Sequence, residues 1–271
     1  MGEKPEAQRA VASDEWKLGF WDRLQYRLLK RFFRNTESAQ TPRPAAGVVR
    51  VRELFGDEFV DSIRGKTVIE FGSGDGCDAV DLALAGAARV IGLDVQEAGL
   101  RHSRELAAQK GVTEICEFAR TTDTQADIVM SIDAFEHFMD PVDILRKMAV
   151  LCKPDGRIWI QFGYTWLHPY GGHLFSLNVF PWAHLVFSET ALCRWRADFK
   201  SDGARRFGEV DGGLNKMTLA RFARMVAGCG ITVEAIQEVP IRAARMFHCR
   251  LTREFLTSVI RYRLKPHSHP E

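Results

Sequence analysis

The chain has 271 residues, 46% of them hydrophobic and 27% charged, a balance that excludes disordered, collagen-like and membrane-embedded classes. A chain this long buries on the order of three quarters of its unfolded surface, so it needs no disulfide or metal to hold a core. Lys plus Arg number 37 against 35 for Asp plus Glu, a net charge of +2, which is too even for a nucleic-acid binder.

Six scattered cysteines (Cys77, Cys116, Cys152, Cys193, Cys229 and Cys249) form no C-x-x-C pair. They read as reduced thiols of a cytoplasmic protein. No apolar run approaches the roughly 18 to 20 residues of a membrane-spanning helix, and the opening MGEKPEAQRA lacks the apolar centre of a secretory signal.

The first dozen residues are polar and read as loose. Asp14–Arg34 has helical spacing, with Trp16, Phe20, Leu24 and Leu28 four apart. Asn35–Pro44 reads as a linker and Val48–Ile63 as a further helix. Strands are expected at Thr67–Phe71, Arg89–Leu93, Ile115–Phe118, Asp127–Ile132 and Arg157–Phe162. Helices are expected between them at Ala79–Ala85, Gln96–Lys110 and Pro141–Leu151. Such alternation predicts a parallel sheet covered on both faces. From Gly163 to Asn215 the rhythm breaks into an aromatic, Gly- and His-rich insertion too long for a connection. It resumes with a helix at Met217–Ala227, a strand at Ile231–Val239, a helix at Ala243–Leu256 and a last strand at Val259–Leu264. The expected organisation is a helical extension over residues 1–47, then one domain over 48–271 with a substrate-binding insertion at 163–215.

Glu70-Phe71-Gly72-Ser73-Gly74-Asp75-Gly76 is a strand end running through G-x-G-x-G into a helix. Glycines there let the backbone approach a ligand and adopt positive φ. Asp94 ends the next strand, where a carboxylate can accept two hydrogen bonds from a ribose diol. The pair points to a nucleoside-containing cofactor. The permissive dinucleotide form G-x-G-x-x-A is met by Gly74, Gly76 and Ala79, so a nicotinamide oxidoreductase stays as a rival. Glu70 argues the other way: a carboxylate repels a pyrophosphate and attracts a sulfonium or ammonium.

On these residues the sequence resembles the class I S-adenosylmethionine-dependent methyltransferases, over about Val48 to Phe162. Asp133-Ala134-Phe135-Glu136-His137-Phe138 is similar to that family's segment after the fourth strand, and Leu151-Cys152-Lys153-Pro154-Asp155-Gly156 to its L-x-K-P-G-G turn. One departure is the third strand, which runs into Arg120-Thr121-Thr122-Asp123 without a clear G-D pair. The resemblance implies a Rossmann-like, seven-stranded, mostly parallel sheet with helices on both faces and an antiparallel last strand. It implies S-adenosylmethionine as cofactor, with S-adenosylhomocysteine as product. The expected cofactor residues are Glu70, Gly72, Ser73, Gly74, Gly76, Asp94 and Val95, with Ser131, Ile132 and Asp133 at the methionine end.

Asp133, Glu136 and His137 have types and spacing that suit a general base or a divalent metal. The ubiquinone-pathway and small-RNA methyltransferases carry a similar metal-binding E-x-x-E-H, which makes a metal-dependent O-methyltransferase an alternative; the preferred reading has no metal here. His137 and His173 are the candidate bases. Trp166, His168, Tyr170 and Trp182 of the insertion are the candidate wall for an apolar or aromatic acceptor. Helix 14–34 reads as a lid over the cofactor pocket, with peripheral membrane contact as the alternative, because its acidic residues weaken attraction to lipid. The expected function is methyl transfer to a small-molecule acceptor, most readily at oxygen. A non-catalytic cofactor-binding module is the alternative from another class. The sequence sets no oligomeric state.

Overall fold

A computed structural model describes residues 16–33, 45, 47–174, 180–200, 202–210 and 212–266. The expected loose N-terminus and the linker Asn35–Pro44 lie outside the described residues.

Seven strands form one sheet in the order β3-β2-β1-β4-β5-β7-β6. They are β1 (Thr67–Phe71), β2 (Arg89–Leu93), β3 (Cys116–Ala119), β4 (Ala126–Ile132), β5 (Cys152–Phe162), β6 (Ile231–Pro240) and β7 (Thr257–Pro266). Strands β1 to β5 pair in parallel, while β7 runs antiparallel to both β5 and β6. Alternate side chains of each strand enter opposite layers. Val68, Ile128 and Met130 join one apolar layer, and Ile69, Val129 and Ile158 join the other. Burial on both faces is why these strands read as short, mostly apolar runs.

Helices α2 (Val48–Phe55), α3 (Asp57–Ile63) and α4 (Cys77–Leu84) pack on the first layer, joined by α5 (Glu97–Gln109). Helix α6 (Pro141–Leu151) packs on the second layer. The single helix expected over Val48–Ile63 is broken at Gly56, whose φ of +84° takes the backbone out of the helical region. The fifth strand begins earlier than expected, at Cys152, because a register shift between Ala126 and Ile128 absorbs the Lys153–Gly156 segment.

Insertion 163–215 contains α7 (Ala183–Val186), α8 (Glu189–Arg196) and a short 3-10 turn at Phe207–Glu209. It has an apolar core of its own, built from Ala183, Leu192, Trp195, Phe207 and Leu214. The N-terminal helix α1 (Phe20–Phe32) belongs to that core through Leu29. Three polar ties fix it there: Tyr26 donates to Asp198, Ser188 N–H donates to Gln25, and Ser188 Oγ donates to Asp22. Helix α9 (Leu219–Gly228) then covers the sheet with Leu219, Phe222 and Val226. The helix expected at Ala243–Leu256 is instead a 3-10 segment, Arg242–Phe247, followed by the single turn α10 (Arg253–Leu256). Glu254 turns back to accept hydrogen bonds from the first N–H groups of α9, Leu219 and Ala220.

Candidate functional site

The turn from β1 to α4 is a bend of three left-handed glycines, with φ of +75° at Gly72, +53° at Gly74 and +78° at Gly76. Their reasons differ. A Cβ on Gly72 would stand 2.6 Å from Ala134 Cβ, and one on Gly76 would stand 2.5 Å from Ser103 Cβ. Packing therefore demands both. A Cβ on Gly74 would meet nothing within 4 Å, so the middle of the bend faces open space.

Asp94 is bound to this bend. Its Oδ2 accepts from Gly74 N–H at 2.9 Å and its Oδ1 from Gln96 N–H at 2.8 Å, leaving a lone pair on each oxygen. Ser73 Oγ is buried and has no hydrogen-bond partner among the described residues. Val95 next to Asp94 is exposed, whereas Glu70 is buried within the sheet. Burial first, and the Glu70 charge second, push the Cys116 thiol up to about 11. Ser131 donates to the carbonyl of Phe71 at 3.0 Å, and Ile132 is buried beside it in the α2–α5 layer. The Ser131 hydroxyl thus ties β4 to the end of β1.

Asp133 ends β4 with a φ of +49°, a conformation a non-glycine residue adopts only when its surroundings hold it. Its N–H donates to Gln161 O at 2.8 Å, and its Oδ1 accepts from Gln161 Nε2 at 3.3 Å. Arg261 in turn donates to Gln161 Oε1 at 2.7 Å. From the other side Arg50 of α2 brings Nη2 to 3.9 Å from Oδ2. The Asp133 carboxyl is raised by desolvation, opposed by the Gln161 hydrogen bond and by Arg50, Arg261 and His137. Sequence reading missed Arg50 and Arg261. Neither sits in a motif, and only the fold brings α2 and β7 to the end of β4.

Glu136 is buried, and its Oε2 has no hydrogen-bond partner among the described residues. Desolvation, with a smaller push from Asp133, raises its carboxyl to about 8 against hydrogen bonds from its own N–H and that of Gly163. His137 Nδ1 lies 2.7 Å from the Gly213 carbonyl. A carbonyl only accepts, so Nδ1 carries the hydrogen and Nε2 the lone pair. His173 lies edge-on to His137, ring centroids 5.3 Å apart, and donates through Nε2 to Tyr164 O at 3.2 Å. Burial, reinforced by His137, lowers His173 to about 4. Asn215 was also missed in the sequence: its Nδ2 donates to Phe135 O and Phe138 O, each at 2.7 Å, clamping the segment that carries Glu136 and His137.

The four expected wall residues separate. His168 and Tyr170 stay together: the His168 ring stacks on Tyr164 at 4.0 Å, and its Nδ1 accepts from Tyr170 N–H. Burial, then the nearby His173 and His184, lowers His168 to about 4. Trp166 instead packs into the insertion's core against His184 and Phe207, and Trp182 donates its indole N–H to Leu167 O. Asp133, Glu136 and His137 adjoin in the chain, yet among the described residues no three His, Cys, Asp or Glu side chains are grouped to hold a metal.

Residues 63–176 match the family described as a methyltransferase domain. The ubiquinone biosynthesis O-methyltransferase of Neisseria meningitidis serogroup C is 36% identical over 114 residues, 38% of this chain and 48% of that protein. The chain thus spans about half the length of the curated relatives it matches. Among solved structures, a putative sarcosine dimethylglycine methyltransferase from Galdieria sulphuraria superposes with a TM-score of 0.52 at 14% identity, over 92% of this chain and 99% of that one. The cyclase SpnF does so with a TM-score of 0.52 at 11% identity, over 91% and 93%. These two likenesses bear on fold alone. Residues 63–176 thus match a methyltransferase domain, and they carry the glycine bend locked to Asp94 within the sheet ordered β3-β2-β1-β4-β5-β7-β6.

Proposed function

We propose that the protein methylates an oxygen of a small, apolar or aromatic acceptor, using S-adenosylmethionine. The observation that carries the reading is the bend itself, open at Gly74 and tied to Asp94. The residues present fit the cofactor. The buried Ser73 hydroxyl lacks a partner, the Asp94 oxygens each keep a lone pair for a ribose hydroxyl, and Gly74 leaves room for close approach. Gly72 and Gly76 shape the bend, Val95 stands beside the ribose position, and the Ser131–Asp133 backbone with the Arg50 guanidinium serves an amino-acid end. Glu70 contributes negative potential from within the sheet. When bound, S-adenosylmethionine supplies an electrophilic methyl group on a sulfonium.

The protein's own task is then to align the acceptor, exclude water and take one proton. His137 is the base: its Nδ1–H is held by the Gly213 carbonyl, so Nε2 receives the acceptor's hydroxyl proton. His173 packs edge-on against it and fixes the ring plane. Tyr164, His168 and Tyr170 form the aromatic side of the acceptor pocket. Oxygen as the attacked atom is favoured because an oxygen acceptor needs a base, and the curated relatives are named as O-methyltransferases. The arrangement of Asp133, Glu136 and His137 lends no support to a metal-dependent variant. Titration calorimetry with S-adenosylhomocysteine tests the cofactor half, and an absence of binding to folded protein ends the proposal. Binding without methyl transfer to any of a panel of phenols and catechols would favour the non-catalytic module instead.

A further inference from the structure

We propose that the outward face of α1, continued by α7, docks on an anionic phospholipid surface. Along α1, Leu29, Tyr26, Asp22 and Gln25 turn inward onto the insertion. At 100° per residue, Phe20, Leu24, Leu28, Trp21 and Phe32 share the remaining arc. All five are exposed on one helix: Phe20 76%, Trp21 69% and Phe32 70%, with Leu24 and Leu28 at 41% and 42%. The patch does not stop at the helix. Phe33 meets Phe180 and Phe180 meets Phe187, bringing up α7, where Leu185 and Val186 are also exposed. Contiguous apolar surface of this kind marks an interaction site.

Charge chooses the partner. Arg23, Arg27 and Arg31 recur at spacing four along one flank of the apolar arc and are exposed. None of them is paired with an acidic side chain among the described residues, and the helix's own Asp22 is used on the inward side by Ser188. Cations and aromatics face out together while the acid is withdrawn. That is the pattern of a helix lying in a membrane interface, its apolar side in the acyl boundary and its arginines at lipid phosphates. The described acid on which the lid reading relied therefore does not face the lipid. Helix α1 rests on α8, within the insertion that leaves the carboxyl end of β5. The inference does not depend on the methyl-transfer reading.

The test is co-sedimentation of the full chain with phosphatidylcholine vesicles, with and without phosphatidylglycerol, at low and high salt. Binding is expected only with phosphatidylglycerol and weaker at high salt. The triple change Arg23→Gln, Arg27→Gln, Arg31→Gln should lower partitioning by about ten-fold or more. So should Phe20→Ser, Trp21→Ser, Phe32→Ser, with the melting temperature and S-adenosylhomocysteine affinity unchanged in both. Quenching by brominated acyl chains should fall in Trp21→Phe. Should the apolar triple misfold, the arginine triple and the quenching still decide the matter. The proposal is overturned if the wild-type chain does not pellet with anionic vesicles, or if both triples pellet as well as wild type. It is also overturned if the wild-type chain is a dimer that the apolar triple converts to monomer, which would give the face to a second copy.

Discussion

Replacing Glu136 by Gln should change the pH dependence of stability in a calculable way. Burial holds the Glu136 carboxyl at about 8 in the folded chain, against 4.5 in the unfolded one. Between those values the folded state keeps a proton that the unfolded state has released. Stability therefore falls as pH rises, by about 1.4 kcal/mol per pH unit. Above about 8 both states are ionised and the loss is constant, about 4 to 5 kcal/mol in all by that slope. Two histidines act oppositely. His168 and His173, held at about 4 against 6.5, stay neutral in the fold while the unfolded chain takes up protons, so their stabilisation is lost as pH falls below 6.5. From 4.5 to 6.5 two rising contributions outweigh one falling one, and above 6.5 only the falling one remains. Wild type should thus be most stable near pH 6.5, whereas Glu136→Gln, which mimics the protonated acid without titrating, should hold a plateau above it. Urea unfolding of both proteins at half-unit steps from about pH 5 to pH 8.5 measures the difference directly. A difference between the two that stays flat across that window would refute the reasoning and place Glu136 ionised in the fold.

Asp94→Ala removes the acceptors of two backbone N–H groups as well as the expected ribose contacts; the affinity for S-adenosylhomocysteine should fall by about 1 to 3 kcal/mol or more, with a small drop in melting temperature. Gly74→Ala and Gly76→Ala should separate binding from folding. The first has room for its methyl and should fold but bind cofactor poorly, while the second drives a Cβ into Ser103 and should lose about 2 to 4 kcal/mol of stability. His137→Gln should lower kcat by about 10²- to 10⁴-fold and leave S-adenosylhomocysteine affinity intact. An unchanged rate would exclude it as the base.

The sheet was legible because strands buried on both faces cannot hide: TVIEF, RVIGL and DIVMSI are short, mostly apolar runs, and the glycine bend announces the end of the first. Breaks within helices were less so. Gly56 sits inside an apolar period that satisfies a helix on either side, and its positive φ has no one-dimensional mark. In the site, the local part was readable, since Gly72, Gly74, Gly76 and Asp94 lie within two adjacent strand ends. The rest depends on tertiary convergence. Arg50 reaches Asp133 from a helix before the sheet begins, Arg261 reaches it through Gln161 from the last strand, and Asn215 clamps the His137 segment from the far end of the insertion. Trp166 and Trp182 resemble His168 and Tyr170 in sequence. The difference is which of them the insertion needs for its own core, and that follows from packing with α1 and Phe207.

Burial also sets the charge of the acceptor side. Desolvation pushes His168, His173 and His184 down and Glu136 up, so each is driven toward its neutral form by the same cause. Asp133 moves the same way, raised by desolvation against the opposing Gln161 hydrogen bond and the Arg50 and Arg261 charges. On the proposed reading the acceptor side therefore offers hydrogen bonds and aromatic surface with little net field, which suits an uncharged acceptor. A carboxylate or ammonium placed there would lose its hydration without gaining a counter-ion. In such a wall an acceptor's acidity cannot be raised by a general positive potential. On the proposed reading deprotonation falls to one oriented lone pair, that of His137 with its Nδ1–H held by the Gly213 carbonyl.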